Sequence, residues 1–498
     1  VQRAFGSIGT ERPRPHVYVA SGVYTETVHM RDGVFLHGGY RSDFLALNPS
    51  GFPVVIVAPA DTTALGGAAL VVERAGQSPS LVEGISVRGR DATRAGELAI
   101  AIELIEPAAQ LTLRDLNVRS GKPGAGQSGM RGVAGTATAS TAGDGDPQQA
   151  ALEDSAHVCF NGDGNRGRGG GGGQNRCGGV DVSGGNGGSS VCPRFATVEQ
   201  DGQAGHARLA SSAGAPGRGG DDLQGPIMND PACPVAVCCG LADFSVPSSF
   251  VQATAGGTGQ NGVNGSAGAA CSDALGFFSV GVDAWTAGLA ADGGNGDAGG
   301  GGGGGGTGSG AEMTWVAGAC EFPDGLGGGG GGGGAGGCGG NGGRAGQAGG
   351  PAIGILIRTS NAASMPKIEG VEIASQDGAT GGDGGAGGDG APGGNGGFGG
   401  RVPDALRSTP PLAGPMPGER GGKGGEGGAG GGGGGGCGGS SIGIWLTGIG
   451  NHPELAGLYD NASNSFSLGG AGQPGRGGGG AVPAAPGATG QVADVLVR

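Results

Sequence analysis

The sequence predicts an all-β solenoid that carries a bundle of polyglycine II helices. Three observations lead there. Glycine accounts for 131 of 498 residues and is gathered in blocks. The segments between the blocks are short, apolar and strand-like, and they repeat. In GGDGGAGGDGAPGGNGGFGGR, Gly381 to Arg401, a non-glycine falls on every third position from Asp383 on: Asp383, Ala386, Asp389, Pro392, Asn395, Phe398 and Arg401. That period suits neither an α-helix, which needs about 3.6, nor a strand, which needs about 2.

Taken in order, residues 1–15 form a proline-bearing polar arm. Residues 16–120 read as short strands broken by turns, with strands expected at 17–20, 25–30 and 34–37. AALVVERAGQSPSLVEGISVRG and LAIAIELIEPAAQLTLRDLNVRSG resemble each other: each has an apolar strand, a polar corner and a second strand. The pattern is lost in the glycine-rich insertion 121–350, returns at 351–377, yields to a second insertion at 378–440, and resumes at 441–498. Self-similar units of this kind cannot bury an apolar face alone, and stacking them makes the core. The insertions are expected to leave the stack on one side.

VYVASGVYTETVHMRDGVFLHGGY is similar to the opening coil of many secreted bacterial proteins with the right-handed parallel β-helix of the pectin-lyase-like family. The resemblance covers roughly 16–119, 351–375 and 441–498. It implies the fold and leaves the activity open, because that fold hosts enzymes, adhesins and structural proteins alike.

Three residues per turn is the geometry of polyproline II, a left-handed helix without internal hydrogen bonds. A GGX repeat puts every X on one edge and leaves two edges bare for other backbones. The phase also runs through Ala335, Cys338, Asn341, Arg344 and Gln347, and through Arg420, Lys423, Glu426 and Ala429. Runs without any X, at 299–306, 327–334 and 430–436, are expected at the centre, with GGX runs outside and their side chains in solvent. Ordering glycine is expensive, so one tract alone stays disordered and several must be bonded together. Similar glycine-helix sandwiches are known in phage tail-tip adhesins and in an arthropod antifreeze protein. Collagen is a poor match, since glycine often takes two of three positions.

The ten cysteines imply an oxidising compartment. Cys159 and Cys177 lie eighteen positions apart, as do Cys320 and Cys338, so each pair is expected to close a glycine loop. CPVAVCC lacks the spacing of a zinc knuckle, and no metal or cofactor is expected. A formal charge of −14 argues against nucleic acid. No apolar run is long enough for a transmembrane segment. The start at Val1, without an apolar leader, reads as a secreted chain after signal-peptide removal.

No catalytic residues are assigned. The cluster Arg88, Arg90, Asp91 and Arg94 offers a saccharide-binding or lyase site, or a solvated turn. Tyr18, Tyr24, Phe35, Tyr40 and Phe44 are expected to fill the core or cap it, and His29 and His37 to sit in turns or on the surface. The leading expectation is a non-enzymatic extracellular filament subunit that self-associates. Val1, Phe5, Phe398, Val495 and Val497 are its assembly candidates. The alternatives are an adhesin for surface polysaccharide and, less favoured, a polysaccharide lyase.

Overall fold

The computed structural model describes residues 1–2, 16–136, 140–155, 159–160, 162, 164–192, 200–221, 223–224, 252–278, 285–312, 324–401, 416–450, 452–459 and 462–498. Phe5 and Cys320 lie outside them, as do Cys233, Cys238 and Cys239.

The fold is all-β and mainly parallel. The first sheet runs His16–Ala20, Phe35–Tyr40, Ser80–Glu83, Leu111–Arg114, Lys367–Glu369. The second runs Gly22–Thr25, Val54–Val57, Ser86–Arg88, Asn117–Arg119, Glu372–Ser375, Ser465–Leu468. The third runs Val28–Met30, Leu70–Glu73, Ala99–Ile105, Ala352–Arg358, Ser441–Thr447, Val492–Val497. The chain visits first, second and third sheet in rotation. The expected single strand at 25–30 is two strands on different sheets, because the chain turns a corner at Glu26 and Thr27. In the last circuit a 3₁₀ turn, Pro453–Tyr459, replaces the first-sheet strand, and the buried Tyr459 hydroxyl donates to the Pro366 carbonyl at 3.0 Å.

Like side chains stack from circuit to circuit. Ile102, Ile355, Ile444 and Val495 share one register position, and Leu104, Ile357, Leu446 and Val497 another. These ladders belong to one aliphatic core with Val17, Leu36, Ile56, Val87 and Leu113. Three strands of the third sheet, Ala99–Ile105, Ala352–Arg358 and Ser441–Thr447, are buried on both faces. Their outer side chains Ile100, Ile353, Leu356, Ile442 and Trp445 pack with Leu275 of the glycine-rich insertion. That is why these strands, AIAIELI, AIGILIR and SIGIWLT, are almost continuously apolar, whereas the first two sheets alternate.

Every long insertion leaves at the same corner. Residues 120–351, 376–440 and 469–491 each follow a second-sheet strand and precede a third-sheet strand. The one-sided exit expected from sequence is what the strand order gives.

Within the insertions, main chain bonds to main chain with a period of three. Gly328, Gly331 and Gly334 donate to the carbonyls of Met416, Glu419 and Gly422 at 2.8–3.0 Å. Gly329 and Gly332 donate to Asp146 and Gly143, and Gly330 and Gly333 to Gly188 and Gly185. The carbonyls of the same run accept from 302–308, from 397–400 and from 170–173. The run 327–334 therefore bonds to six other tracts. The pure-glycine runs 299–306 and 430–436 are likewise surrounded, and all three runs are buried.

Side chains thin out the neighbours in a regular way. The GGX tract 381–400 bonds to four tracts: 473–479, 329–347, 418–436 and, in succession, 126–135 and 145. Tract 126–135 has glycine only at every third residue and bonds to two, 380–389 and 341–347. Its Met130 and Val133 are 73% and 68% exposed. Each added side chain per turn thus removes two neighbours, which sets the lattice's inside and outside. The glycines of these tracts are absent from the positive-φ residues. Their role is close approach: a methyl group on Gly332 would overlap the Gly171 carbonyl oxygen.

Edge side chains do more than face solvent. Asn261 and Asn264 Oδ1 accept the N–H of Glu426 and Ala429 at 2.9 Å. Asp144, Asp292 and Asp383 accept the N–H of Phe398, Ala345 and Arg476 at 2.7 Å. Those donors belong to side-chain-bearing residues, and a carboxylate or amide oxygen takes the place of a missing backbone partner.

The disulfides correct the expected pairing. Cys159 joins Cys192, Cys177 joins Cys338, and Cys271 joins Cys437, over separations of 33, 161 and 166 residues. Neither eighteen-residue loop forms at Cys177 or Cys338. An extended tract carries cysteines that far apart away from each other, so each bonds to an adjacent tract instead.

Candidate functional site

A cleft of about 700 Å³ opens where the parallel sheets meet the glycine-rich lattice. Its walls include Asp61, Arg90, Arg94, Glu97, Trp285 and Gln347. The first four come from turns of the early circuits. Trp285 and Gln347 come from the insertion, and the indole is fixed by donating to the Leu275 carbonyl at 2.9 Å.

The arginine cluster singled out in the sequence divides here. Arg90 pairs with Glu97 at 2.7 Å, with its side chain only 11% exposed. Burial alone would raise the Glu97 pKa, but hydrogen bonds from Thr93 N, Arg90 and Arg94 N outweigh it and hold the carboxyl below its usual range. Asp91 accepts the Lys122 N–H at 2.7 Å. Arg90, Asp91 and Glu97 thus shape the loop. Arg88 ends its second-sheet strand with its side chain exposed, away from the cleft lining. The Arg94 guanidinium has no partner among the described residues and stays available to a ligand, with the Trp285 ring facing the same space. A free cation, an indole and nearby threonine hydroxyls suit a hydroxylated, acidic ligand.

The outer face of the first sheet carries a second feature. Val17, Val19 and Leu36 point inward, so His16, Tyr18, Phe35 and His37 point out. This corrects the expectation that the aromatics fill the core. Tyr18 and Phe44 are 50% and 51% exposed, Phe35 and Tyr40 are half-buried outside, and only Tyr24 packs against the aliphatic core. His16 stacks on Phe35 and Tyr18 on His37, with centroids 4.7 and 5.1 Å apart. His37 Nδ1 lies 2.6 Å from Glu83, which also binds Arg114. Burial again raises the Glu83 pKa, and the bonds from Arg114 and His37 more than reverse it. His29 lies exposed on the third sheet, its N–H donating to Gln2 Oε1 at 2.8 Å.

The assembly candidates are scattered. Val1 packs against the core of its own chain. Val495 and Val497 point inward and extend the aliphatic ladders, and among the described residues their strand is bonded on one edge, to Ser441–Thr447. Phe398 is 52% exposed, with the guanidinium groups of Arg401 and Arg420 5.7 and 5.1 Å from its ring centre.

Sequence reading assigned neither Trp285 nor Gln347 to a site, because the cleft joins residues about two hundred positions apart; the period of three marks Gln347 only as a side-chain position. The outward ladder was within reach: aligning HVYVA with FLHGGY brings His16 onto Phe35 and Tyr18 onto His37. No cluster of His, Cys, Asp and Glu suited to a metal ion occurs among the described residues. Nor is any helix among them long and apolar enough to cross a membrane. No protein-family model, curated protein or solved structure matches the chain.

Proposed function

We propose that this chain is a secreted, non-enzymatic structural protein: a right-handed parallel β-helix carrying a polyglycine II bundle, used as a rigid building block of an extracellular assembly. The observation that supports it best is the six-neighbour bonding of the pure-glycine runs, which builds a solid body of packed main chain. The three disulfides among the described residues fit an extracellular setting. Copies join through the free edge of Val492–Val497, by strand addition, and through Phe398. Sedimentation velocity over a concentration series, with negative-stain microscopy, is expected to reveal elongated multimers that Phe398→Ser and Val492→Lys shorten. A single monomeric species at the highest concentration would rule out self-assembly.

The cleft favours a second reading, an adhesin that holds an acidic surface polysaccharide between Arg94 and Trp285. Binding of uronate-containing oligosaccharides, followed by calorimetry, should weaken about tenfold or more in Arg94→Ala and in Trp285→Ala. Equal affinity of both variants and the parent would remove this reading.

A further inference from the structure

The lattice holds six described Asn-Gly pairs, at Asn186, Asn261, Asn264, Asn295, Asn341 and Asn395. Asn-Gly is the dipeptide most prone to spontaneous deamidation, since glycine leaves its own nitrogen unhindered. The main-chain nitrogen of Gly attacks Asn Cγ. The N–C bond closes a succinimide, and the side-chain nitrogen leaves as ammonia, with the proton the main-chain nitrogen gives up. Water then opens the ring to aspartate or isoaspartate. Both reacting groups must be free to approach each other.

At most of these pairs the lattice restrains both groups. Asn261 and Asn264 hold their Oδ1 atoms on neighbouring N–H groups, while Gly262 and Gly265 donate to Glu426 and Ala429 at 2.7 and 2.8 Å. Asn295 accepts from Gly342 N at 2.9 Å, and Gly296 donates to Gly340 at 2.8 Å. Asn186 accepts from Gly172 N, and Gly187 donates to Gly170. At Asn341 only the glycine is held, by Asn295 Oδ1.

Asn395 differs. Its side chain is exposed and bonds to nothing among the described residues, and the Gly396 N–H likewise has no partner among them. The cause lies in the lattice. Gly381, Gly384 and Gly387 donate to 473–479, but that tract does not continue alongside 390–399. We propose that Asn395 is the site of spontaneous modification in the folded protein, and that the lattice protects the doubly held pairs. Isoaspartate at 395 inserts an extra main-chain methylene between Gly394, which donates to Ala335 at 2.7 Å, and Gly397, which donates to Gly332 at 2.8 Å. It therefore breaks the three-residue phase at a single point.

The sequence supplies its own control, because Asn186, Asn341 and Asn395 all sit in GGNGG. Full-length protein, folded with disulfides intact, is incubated in mildly alkaline buffer beside a reduced, denatured sample. Peptide mass spectrometry then follows deamidation at each site. The three GGNGG sites should react at matching rates when unfolded. In the folded protein Asn395 should outpace Asn186 and Asn295 by about tenfold or more, since those sites must first break two hydrogen bonds. Asn395→Gln should abolish the isoaspartate of the folded protein. The proposal is overturned if Asn395 keeps pace with the held pairs in the folded state, whether all react or all stay silent, or if isoaspartate persists in Asn395→Gln.

Discussion

Gly332→Ala is expected to destabilise the protein by about 2–5 kcal/mol, from overpacking and lost lattice bonds. Its N–H bonds to Gly143 and its carbonyl accepts from Gly397, so no free side remains for a methyl group. The informative comparison is Gly171→Ala. Gly171 falls on the side-chain phase set by Arg168 and Gln174, is exposed, and has open space where a Cβ would stand. That variant should be neutral, or more stable by about 0.4–1 kcal/mol through a less flexible unfolded chain. Its neighbours do not share this freedom: a methyl on Gly170 would meet the Gly143 carbonyl, and one on Gly172 the Gly184 carbonyl. Thermal melts of the alanine variants at 170, 171, 172 and 332 test the idea. Equal tolerance at all four would mean that the glycines are not there for close packing.

Removing Cys177–Cys338 or Cys271–Cys437, as paired serine variants, should cost about 3–5 kcal/mol each. Each closes a loop of more than 160 residues, 161 and 166, whereas Cys159–Cys192 spans 33. In the chain-entropy account the longer loops contribute more. Each long-range bridge also pins one tract to another, so its loss should loosen the lattice before the sheets. Hydrogen exchange read by mass spectrometry would show this as faster exchange at 168–177 and 335–347 in the first variant, with 99–105 and 352–358 unchanged. Simultaneous loss of protection in both regions would show that lattice and sheets open as one unit.

Much of this architecture was legible because it repeats. The period of three in 381–401 reported which faces of a tract are free, and the apolar runs at 99–105, 352–358 and 441–447 marked strands; that their sheet is covered twice came from the structure. The aromatic side chains misled because alternation gives two faces without saying which is inward. The interior is built mainly from branched aliphatics that stack on their like, as Ile102, Ile355 and Ile444 do; the rings of the first sheet fall to the outside, while Tyr459 enters the core in the last circuit. Disulfide partners and the Asp and Asn bonds were out of reach, since both depend on which tract lies beside which. The cleft depends on the same adjacency, with Arg94 and Trp285 coming from opposite sides of the seam.

A pleated sheet is cross-linked in one direction only, along the line of its strands' neighbours, and two stacked sheets can shear past each other. The runs 299–306, 327–334 and 430–436 are cross-linked on every side. Any plane drawn between such a run and its surroundings cuts hydrogen bonds, so this part of the molecule has no easy direction of slip under a sideways load.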